Sequence, residues 1–419
     1  MMWIKQQIRD PLYRNSLFLM ANTAVMSGLG FFFWLVVARF YNETEVGFGA
    51  AIISAVTFIA LFSRLGLDFT LIRFLPKAEK PVELINSCFT LSGIVALAVA
   101  GIFLAGLALW SPALGFITEN AMFILVFVLF ALGWTLSGMM DFVFIAGRRA
   151  EFALVKNAIF SLLKIPLPII FVLFFRAFGI VSSWTIAVGI GLAISLFLFL
   201  PWVQNRYYPA LRLNLGIIKD IGWYSAGNYF AALFTSAPTL VLPLMILNLL
   251  GAAENAYFYV AWMIASLLFA IPMGASQSLF AEGSHFEDEL RVNVQRSVRF
   301  IFLLLIPAII VVIVLGNWLL LLFGASYSQN ALDLLWILAL SGIPVGINRV
   351  YGAILRVRGR MRELVALCVF RAIVVLLGSY FIAPTTGLVG IGYVWIAAHG
   401  VVSVYVAFAL RKLYHVKCK

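Results

Sequence analysis

The sequence has few charged residues and almost no cysteine. Only 11% of its 419 residues are charged and 64% are hydrophobic, whereas about a quarter of the residues of a soluble domain are charged. So little charge cannot cover a water-facing surface, which excludes the soluble globular class and indicates a multi-pass membrane protein. The three cysteines, Cys88, Cys368 and Cys418, show no CxxC spacing. We therefore predict neither a disulfide framework nor a metal site.

The motifs of soluble enzymes are also missing from the sequence. The chain contains no HExxH, no GxxxxGK[ST] and no GxSxG, so we expect a protein that is not an enzyme and needs no cofactor. The formal net charge is +12. In a chain this apolar, the positive charge is expected in cytoplasmic loops, and no nucleic-acid partner is predicted.

Long apolar runs make up most of the chain. A membrane helix needs about 20 apolar residues, and twelve runs satisfy this requirement. They lie at residues 15–40, 46–67, 84–110, 121–145, 152–175, 178–203, 218–248, 252–275, 293–316, 328–350, 362–383 and 387–410. Because the connections are short, the sequence predicts an all-α polytopic fold with about twelve transmembrane helices.

Lysine and arginine are concentrated in alternate connections. Of the 29 cations, 25 fall in the N-terminal segment, the even-to-odd connections and the C-terminal tail, with Lys156 and Arg349 counted among them. The opposite connections hold only Arg39 and Arg176. Since positively charged loops stay in the cytoplasm, both termini are expected on the cytoplasmic side of the plasma membrane.

The two halves of the chain resemble each other. Two short segments of the first half recur in the second at an offset of about 210 residues. The pairs are Glu45–Phe48 with Asn255–Phe258, and Gly147–Glu151 with Gly359–Glu363. Six spans per half return the chain to its starting side, which makes the repeats parallel. We predict two pseudo-twofold-related six-helix lobes, residues 1–205 and 206–419, with a central cleft for alternating access.

Helix interruptions occur at matching places in the two halves. Span 1 carries Gly28 and Gly30, and span 7 carries Pro238 and Pro243. At the repeat offset Gly28 coincides with Pro238, which predicts bendable helices that face a substrate. The alternative is that glycine and proline simply ease helix packing.

Two cations fall inside predicted spans. Lys164 and Arg371 lie in the repeat-related spans 5 and 11, each about 12 Å from the cytoplasmic end at about 1.5 Å per residue. We predict that both face the cleft, where they bind a diffuse anion such as a pyrophosphate. The alternative for Lys164 is binding to backbone carbonyls freed by Pro166 and Pro168. For Arg371 the alternative is a polar partner on a neighbouring helix.

Four other polar residues are candidates for transport functions. Asp141 is a candidate site for a coupling proton or sodium ion. The alternatives are an ion pair with Lys164 or Arg371, or a position at a helix interface close to Arg148 and Arg149. His399 is a candidate proton site, or else a neutral histidine bonded to a neighbouring helix. Asn22 and Asn228 are candidates for sugar contacts or for interhelical hydrogen bonds. Most tryptophan and phenylalanine side chains are expected against lipid or at the membrane interface.

The first two spans resemble a known family. The segments that carry the resemblance are Asn15–Asn22, Gly28–Trp34, Ala38–Arg39, Glu45–Gly47, Leu65–Leu67 and Ile72–Pro76. Together with twelve spans, two lobes and a Gly-Arg dipeptide after spans 4 and 10, they resemble the polysaccharide-export branch of the multidrug/oligosaccharidyl-lipid/polysaccharide (MOP) superfamily. These are the Wzx-like flippases.

The resemblance implies a MATE-like fold and a flippase for polyprenyl-pyrophosphate-linked oligosaccharides used in O-antigen, capsule or teichoic-type polymers. The implied partners are this lipid-linked substrate, membrane lipids, and the polymerase and glycosyltransferases of the same pathway. Arg39 and Arg64 are further expected contacts of the cleft or the sugar. The alternatives are a cation-coupled multidrug antiporter of the same superfamily and a membrane-embedded glycosyltransferase or polymerase.

Overall fold

The computed structural model describes residues 11–285 and 290–415. Within these ranges, the description leaves out the side chains of residues 11–13, 16, 174–175, 215, 217–228, 281, 284–285 and 411–415. Fifteen α-helices occur within these ranges. They are α1 Pro11–Phe40, α2 Glu43–Ser63, α3 Leu67–Phe74, α4 Pro81–Ala105, α5 Leu107–Trp110, α6 Ala121–Ala146, α7 Ala150–Lys164, α8 Leu167–Phe175, α9 Ala177–Ile194, α10 Leu200–Val203, α11 Leu215–Leu249, α12 Ala252–His285, α13 Leu290–Leu321, α14 Ala325–Val357 and α15 Met361–His415. A π-helical turn, Ser195–Phe199, joins α9 to α10.

Eleven helical stretches of the described chain are long and apolar enough to cross a membrane. The last of them, Met361–Leu410, has 50 residues, more than twice the ~20 that one crossing needs. Gly387 interrupts it with a φ of 63° and a ψ of −148°, which are not helical values, so this stretch supplies two crossings. The prediction of an all-α polytopic protein with about twelve spans is therefore confirmed.

The turn between α1 and α2 is specified by its own residues. The side-chain oxygen of Asn42 accepts a hydrogen bond from the backbone N–H of Glu45 at 2.8 Å, and the Glu45 carboxylate accepts one from the backbone N–H of Asn42 at 3.2 Å. This capping box satisfies two of the backbone donors that the start of a helix leaves unpaired. The turn that contributed to the family resemblance is thus the N-terminus of α2.

The α6–α7 and α14–α15 connections have the same local geometry. Each places a residue with positive φ after the helix, Arg148 at 55° and Gly359 at 66°. In each, the following N–H donates to the carbonyl five positions earlier, at 2.9 and 2.8 Å, which is the hydrogen bond of a Schellman motif. The two turns lie 211 residues apart, so the sequence repeat is also a repeat of local structure.

The chain divides into two compact units, Met1–Leu233 and Phe234–Lys419. The division falls within α11, later than the predicted lobe boundary between residues 205 and 206. The extended segment before α11 is attached to the first unit, because the Tyr207 hydroxyl donates to Asn86 Oδ1 at 3.0 Å. Burial raises the pKa of Tyr207 to about 12, so this hydroxyl keeps its proton and remains a donor.

The predicted hinge residues lie inside continuous helices. Helix α1 passes through Gly28 and Gly30, and α11 passes through Pro238 and Pro243. A Cβ atom added at either glycine would meet no described atom within 4 Å, so close packing does not require glycine there. This openness favours their interpretation as flexible points, and bending during transport stays a prediction.

Candidate functional site

The first unit contains a polar cavity of about 240 Å³. Residues of α1, α6 and α7 line it, together with the residue that follows α2. They are Asn22, Met26, Arg64, Trp134, Ser137, Gly138, Asp141, Phe142, Lys156 and Asn157. Two cations, one carboxylate and two amides therefore share one cavity inside a hydrophobic helix bundle.

Asp141 forms the ion pair of this cavity with Lys156. The partners considered from the sequence, Lys164 and Arg371, form no salt bridge with it among the described residues. The Lys156 Nζ lies 2.8 Å from Asp141 Oδ1 and donates to the carbonyl and the hydroxyl of Ser137 at 2.7 and 2.9 Å. The Lys156 side chain is 2% exposed, whereas that of Asp141 is 25% exposed. The ammonium thus has the acceptors that a buried charge requires, and the carboxylate is the more accessible partner.

Asn157 connects this ion pair to α1. Its amide nitrogen donates to Asn22 Oδ1 at 3.0 Å and to Asp141 Oδ2 at 3.3 Å. The interhelical hydrogen bond considered for Asn22 is therefore present. Because Asn22 also lines the cavity, a sugar contact by the same side chain stays a prediction.

Arg64 is the second cation of the cavity. Its guanidinium lies 3.9 Å from the carboxylate of Asp68, a long ion pair. It also packs against Gly138, where an added Cβ would come within 3.0 Å of the guanidinium carbon. Burial raises the pKa of the Asp68 carboxyl even though Arg64 favours the charged form. Arg64 thus has a long ion pair to Asp68 and lies within electrostatic range of Asp141.

The sequence prediction places Lys156 in a connection, and the structure shows that this is wrong. Helix α7 begins at Ala150, so Lys156 is six residues, or about 9 Å, inside the helix. One sequence signal would have found the pair. Asp141 lies five residues before the end of α6, and Lys156 lies six residues after the start of α7. Residues equally distant from a tight helical turn lie at the same height in the hairpin.

Lys164 lies among aromatic rings. Its Nζ is 4.4 Å from the ring centre of Trp184, 4.6 Å from that of Phe160 and 5.2 Å from that of Phe33. The residue is 2% exposed and is not among those that line the polar cavity. These distances are those of cation–π interactions. We call Phe33, Phe160 and Trp184 the aromatic cage.

The helix break after Lys164 follows from two prolines. Helix α7 ends at Lys164 and α8 begins at Leu167, with Pro166 preceding it and Pro168 in its first turn. The carbonyl of Pro168 accepts a hydrogen bond from the Tyr41 hydroxyl at 2.7 Å. The structure thus provides Lys164 with aromatic neighbours that neither sequence interpretation anticipated, and its role in anion binding stays a prediction.

The second unit contains a smaller cavity of about 70 Å³ that two arginines share. Arg349 of α14 and Arg371 of α15 line it with aromatic residues, among them Trp262 and Trp395. Within the described ranges, neither arginine forms a salt bridge. Arg371 donates to Cys368 Sγ at 3.3 Å, while its buried Nε has no hydrogen-bond partner.

Arg349 is a cavity residue that the sequence prediction assigned to a connection. The tenth span was expected to end at residue 350, but α14 continues to Val357. Arg349 therefore lies two turns inside the helix, about 12 Å from its end. The three arginines between residues 355 and 361 had suggested an earlier boundary, and they are instead the last turn of α14 and the connection after it.

His399 has partners typical of a neutral histidine. Its Nδ1 lies 3.1 Å from the amide nitrogen of Asn348, which also donates to the His399 carbonyl at 3.0 Å. The ring is 6% exposed and packs against Trp395 at a centroid distance of 4.7 Å. The hydrogen bond to a neighbouring helix is thus present, and proton transfer by His399 stays a prediction.

Two further residues, Arg39 and Asn228, were predicted to contact the cleft or the sugar. Arg39 is exposed in the last turn of α1 and is absent from the lining of either cavity. The side chain of Asn228 lies outside the described residues. Among the residues that the structure describes, no group of three or more His, Cys, Asp or Glu side chains could hold a metal ion.

The all-α bundle of membrane-crossing helices, with charged cavities between them, defines a class, the multi-pass α-helical membrane proteins. Solved structures share this fold. A multidrug-resistance MATE-family transporter of the MOP superfamily, in an inward-facing conformation, matches with a TM-score of 0.74 at 14% identity, covering 94% of this chain and 99% of the other. The lipid II flippase MurJ, in an inward closed conformation, matches with a TM-score of 0.73 at 12% identity over 94% and 87% of the two chains.

A third structure comes from Pyrococcus furiosus Vc1. It is a MOP-superfamily transporter whose binding pocket has reverse polarity, which suggests a different function for it. The match has a TM-score of 0.65 at 15% identity and covers 98% of this chain and 96% of that one. At these identities the comparisons show the MATE-like MOP fold, as predicted.

The family itself is shown by sequence. A model of the polysaccharide biosynthesis protein family matches residues 36–332, which is more than half of the chain. The chain therefore belongs to the polysaccharide biosynthesis protein family, which agrees with the suspected relationship to the polysaccharide-export branch, while the flippase role stays a prediction. A search of curated proteins finds no significant match.

Proposed function

We propose that this protein is a flippase for polyprenyl-pyrophosphate-linked oligosaccharides. It moves them from the cytoplasmic to the outer leaflet of the plasma membrane for O-antigen, capsule or teichoic-type polysaccharide synthesis. The polysaccharide biosynthesis family and the MOP fold support a flippase in general. The distribution of lysine and arginine supports a cytoplasmic location of both termini. The polymerase and glycosyltransferases of the same pathway are the proposed protein partners.

The observation that carries this proposal is the arginine pair of the second unit. Arg349 and Arg371 line one cavity deep in membrane-crossing helices, and neither has a carboxylate partner among the described residues. Burying a charge without a counterion is unfavourable, so an external anion would stabilise this arrangement. Guanidinium groups bind phosphate oxygens through two parallel hydrogen bonds. The two arginines therefore suit a pyrophosphate better than an uncharged sugar.

The size of the cavity adds a condition to anion binding. About 70 Å³ corresponds to little more than two water volumes at about 30 Å³ each. A pyrophosphate group therefore requires the surrounding helices to separate. Pro238 lines this cavity within α11, and a proline inside a helix removes one backbone hydrogen bond and allows bending. Opening at Pro238 is the proposed way in which alternating access exposes the arginines.

The polar cavity of the first unit suits the sugar portion of the substrate. Asn22 and Asn157 offer amide groups to hydroxyls, and the volume of about 240 Å³ accommodates about eight water volumes. Lys164 contributes positive potential in this proposal. Its ammonium is enclosed by the aromatic cage, so direct contact with a phosphate oxygen requires the cage to open.

A multidrug antiporter of the same superfamily is the second candidate, because MATE-family transporters share the fold. Pockets that accept cationic drugs favour carboxylates, and the arginine cavity repels cations. A membrane-embedded glycosyltransferase or polymerase is the third candidate. The fold neighbours are transporters and flippases, which supports a protein that is not an enzyme.

The test is transport by the purified protein in liposomes. A fluorescent lipid-linked oligosaccharide is placed in both leaflets, and a quencher added outside reports the leaflet distribution over time. We expect translocation with the wild type and with Arg358→Gln, which changes the exposed arginine that caps the C-terminus of α14. We expect loss of translocation with Arg349→Gln combined with Arg371→Gln. Drug-driven proton exchange without lipid translocation would identify a multidrug antiporter instead.

A further inference from the structure

The second unit contains a large apolar cavity besides the arginine cavity. Helices α13 and α15 both pack against α14, and among the described residues they scarcely touch each other. The space between them is a cavity of about 320 Å³, which we call the apolar groove. Ten of its twelve lining residues are apolar or glycine, and the other two are Tyr351 and Ser403. The groove therefore differs in chemistry from both charged cavities.

Both polar side chains of the groove already use their hydroxyl hydrogens. The Tyr351 hydroxyl donates to Glu363 Oε1 at 2.6 Å, and the Ser403 hydroxyl donates to the carbonyl of His399 at 2.9 Å. A buried water needs roughly two to four polar partners, so water is not a stable occupant. Because an empty apolar space lacks dispersion contacts on one side, a hydrocarbon occupant would stabilise the groove.

The first unit fills the corresponding place with its own side chains. The equivalents of α13, α14 and the second half of α15 are the third, fourth and sixth spans of the first half, namely α4, α6 and the segment from α9 to α10. These helices pack around a continuous hydrophobic core. The repeat thus preserves the arrangement of the helices, while the filling of the space between them differs.

The difference lies in the size of the side chains. The two hairpin turns are 211 residues apart, and at this offset three residues of the groove are smaller than their counterparts in the core of the first unit. They are Val350 for Met139, Ser403 for Leu192 and Ala407 for Leu196. Tyr351 and Val406 are larger than their counterparts, Met140 and Ser195, and the cavity remains despite them. The second unit therefore leaves room for a ligand where the first unit has none to spare.

The groove lies at the end of the bundle that is predicted to be cytoplasmic. Helix α13 begins at Leu290, so Val294 and Phe302 lie about 6 and 18 Å from that end. This extent is close to the ~15 Å of hydrocarbon in one leaflet of a bilayer. The volume equals about ten water volumes of ~30 Å³ each, and a methylene group is similar in size to a water molecule. The groove therefore fits one straight hydrocarbon chain better than a polyprenyl chain, which carries a methyl branch on each isoprene unit.

Positive charge is concentrated beside this end of the groove. Arg291, Arg296 and Arg299 are exposed in the first three turns of α13. Arg291 shares a helix face with Val294 and Val298, because residues three and seven positions apart lie on the same side of a helix. Cations at the cytoplasmic surface of a membrane attract anionic lipids. The charge therefore favours an anionic headgroup above the groove.

We propose that the apolar groove binds one acyl chain of an anionic phospholipid from the cytoplasmic leaflet, with the headgroup phosphate at Arg291. The chain completes the packing between α13 and α15, as side chains do in the first unit. The groove and the arginine cavity share no lining residue, so this inference does not depend on the transported substrate.

The test uses a phosphatidylglycerol that carries a photoreactive diazirine in one acyl chain. The full-length protein is placed in phosphatidylcholine nanodiscs that contain a small fraction of this probe. After irradiation and digestion, mass spectrometry locates the labelled residues. Wild type is compared with the filled variant, Val350→Met/Ala407→Leu, which gives the groove two side chains of the first unit. The matched control, Val401→Met/Ala397→Leu, makes the same changes at exposed positions of α15.

We expect labelling of the groove residues of α13 and α15 in wild type and in the matched control, and loss of this labelling in the filled variant. Unlabelled phosphatidylglycerol is expected to compete more strongly than phosphatidylcholine. Equal labelling of wild type and the filled variant would overturn the site. Stronger competition by a polyprenyl phosphate than by phosphatidylglycerol would also overturn the proposal, because the groove would then hold the tail of the transported lipid.

Arg291→Gln tests the headgroup contact without altering the groove, and it keeps the proposal testable should the filled variant fail to fold. We expect the apparent dissociation constant for phosphatidylglycerol, taken from the concentration dependence of labelling, to rise about fivefold. Arg206→Gln, which changes an exposed arginine of the first unit, is expected to leave it unchanged. The same dissociation constant for wild type and Arg291→Gln would rule out the proposed headgroup contact.

Discussion

The aromatic cage around Lys164 makes a prediction about stability. We consider Lys164→Met and Trp184→Leu, singly and together. Methionine keeps a stem of similar length without the charge, and leucine keeps an apolar side chain without the ring. Trp184 is chosen because its ring centre is the nearest of the three to Nζ, at 4.4 Å, and because tryptophan is the strongest cation–π partner.

The expected magnitudes follow from opposing contributions. A desolvated cation–π contact contributes about 2 kcal/mol, while burying an ammonium costs several kcal/mol. Lys164→Met removes both, so we expect the free energy of unfolding to stay constant or to rise. Trp184→Leu leaves the ammonium with two rings instead of three. We expect it to cost about 1–2 kcal/mol more when Lys164 is present than in the Lys164→Met background.

The assay is a double-mutant cycle on the free energy of unfolding, measured by reversible detergent titration. Trp318→Leu serves as the control, because this tryptophan is 70% exposed and belongs to the other unit. Distant sites add within about 0.5 kcal/mol, so its coupling with Lys164→Met is expected below that. A coupling between Lys164 and Trp184 that is equally small would refute a stabilising cage.

Two further predictions concern the helical hairpins. Gly359→Ala is expected to destabilise the protein by about 1–2 kcal/mol, because the φ of Gly359 is +66°. Gly400→Ala is expected to be neutral or slightly stabilising, because a Cβ added at Gly400 would meet no described atom within 4 Å. Thermal unfolding in detergent compares the two variants, and equal shifts of the unfolding temperature would contradict the backbone argument. Lys156→Met alone is expected to cost about 3–5 kcal/mol, because it leaves a partly buried carboxylate, and Lys156→Met with Asp141→Asn is expected to recover most of this loss. Recovery would be absent if the pair were not the main interaction of either residue.

The helices were largely predictable from the sequence because membrane thickness sets their length. The sixth span expected at 178–203 corresponds to Ala177–Val203, and the fourth expected at 121–145 corresponds to Ala121–Ala146. The prolines near residue 166 were expected to free backbone carbonyls, and the helix is interrupted there, between α7 and α8. In each case the deciding information is local and lies within one helix.

The charged residues of the two cavities were only partly predictable. Lys156 and Arg349 were counted as connection charges, because hydropathy falls gradually at a helix end and cannot separate a charge outside a helix from one two turns inside it. Arg371 was expected in a cavity and lines one. The other arginine of this cavity, Arg349, lies on the preceding helix α14. Only the packing of α14 against α15 brings the two arginines together.

The surroundings of Lys164 could not be predicted for a related reason. The rings of Phe33 and Trp184 belong to α1 and α9, which are distant in sequence from α7. Aromatic residues were expected mostly against lipid, since no period in the sequence separates a ring that faces lipid from one that faces a buried ammonium. The cage depends on three helices meeting at one height, which sequence spacing does not specify.

Equilibrium binding of farnesyl pyrophosphate tests the central claim most directly, namely that the second unit holds an anionic lipid on Arg349 and Arg371. Each charge-assisted hydrogen bond contributes about 1.5–3 kcal/mol, so Arg371→Gln is expected to raise the dissociation constant about 10- to 150-fold. Arg358→Gln is expected to leave it unchanged, and farnesol, which lacks the pyrophosphate, is expected not to compete. Equal affinity of the wild type and Arg349→Gln/Arg371→Gln, or binding of farnesol as tight as that of the pyrophosphate, would contradict the account.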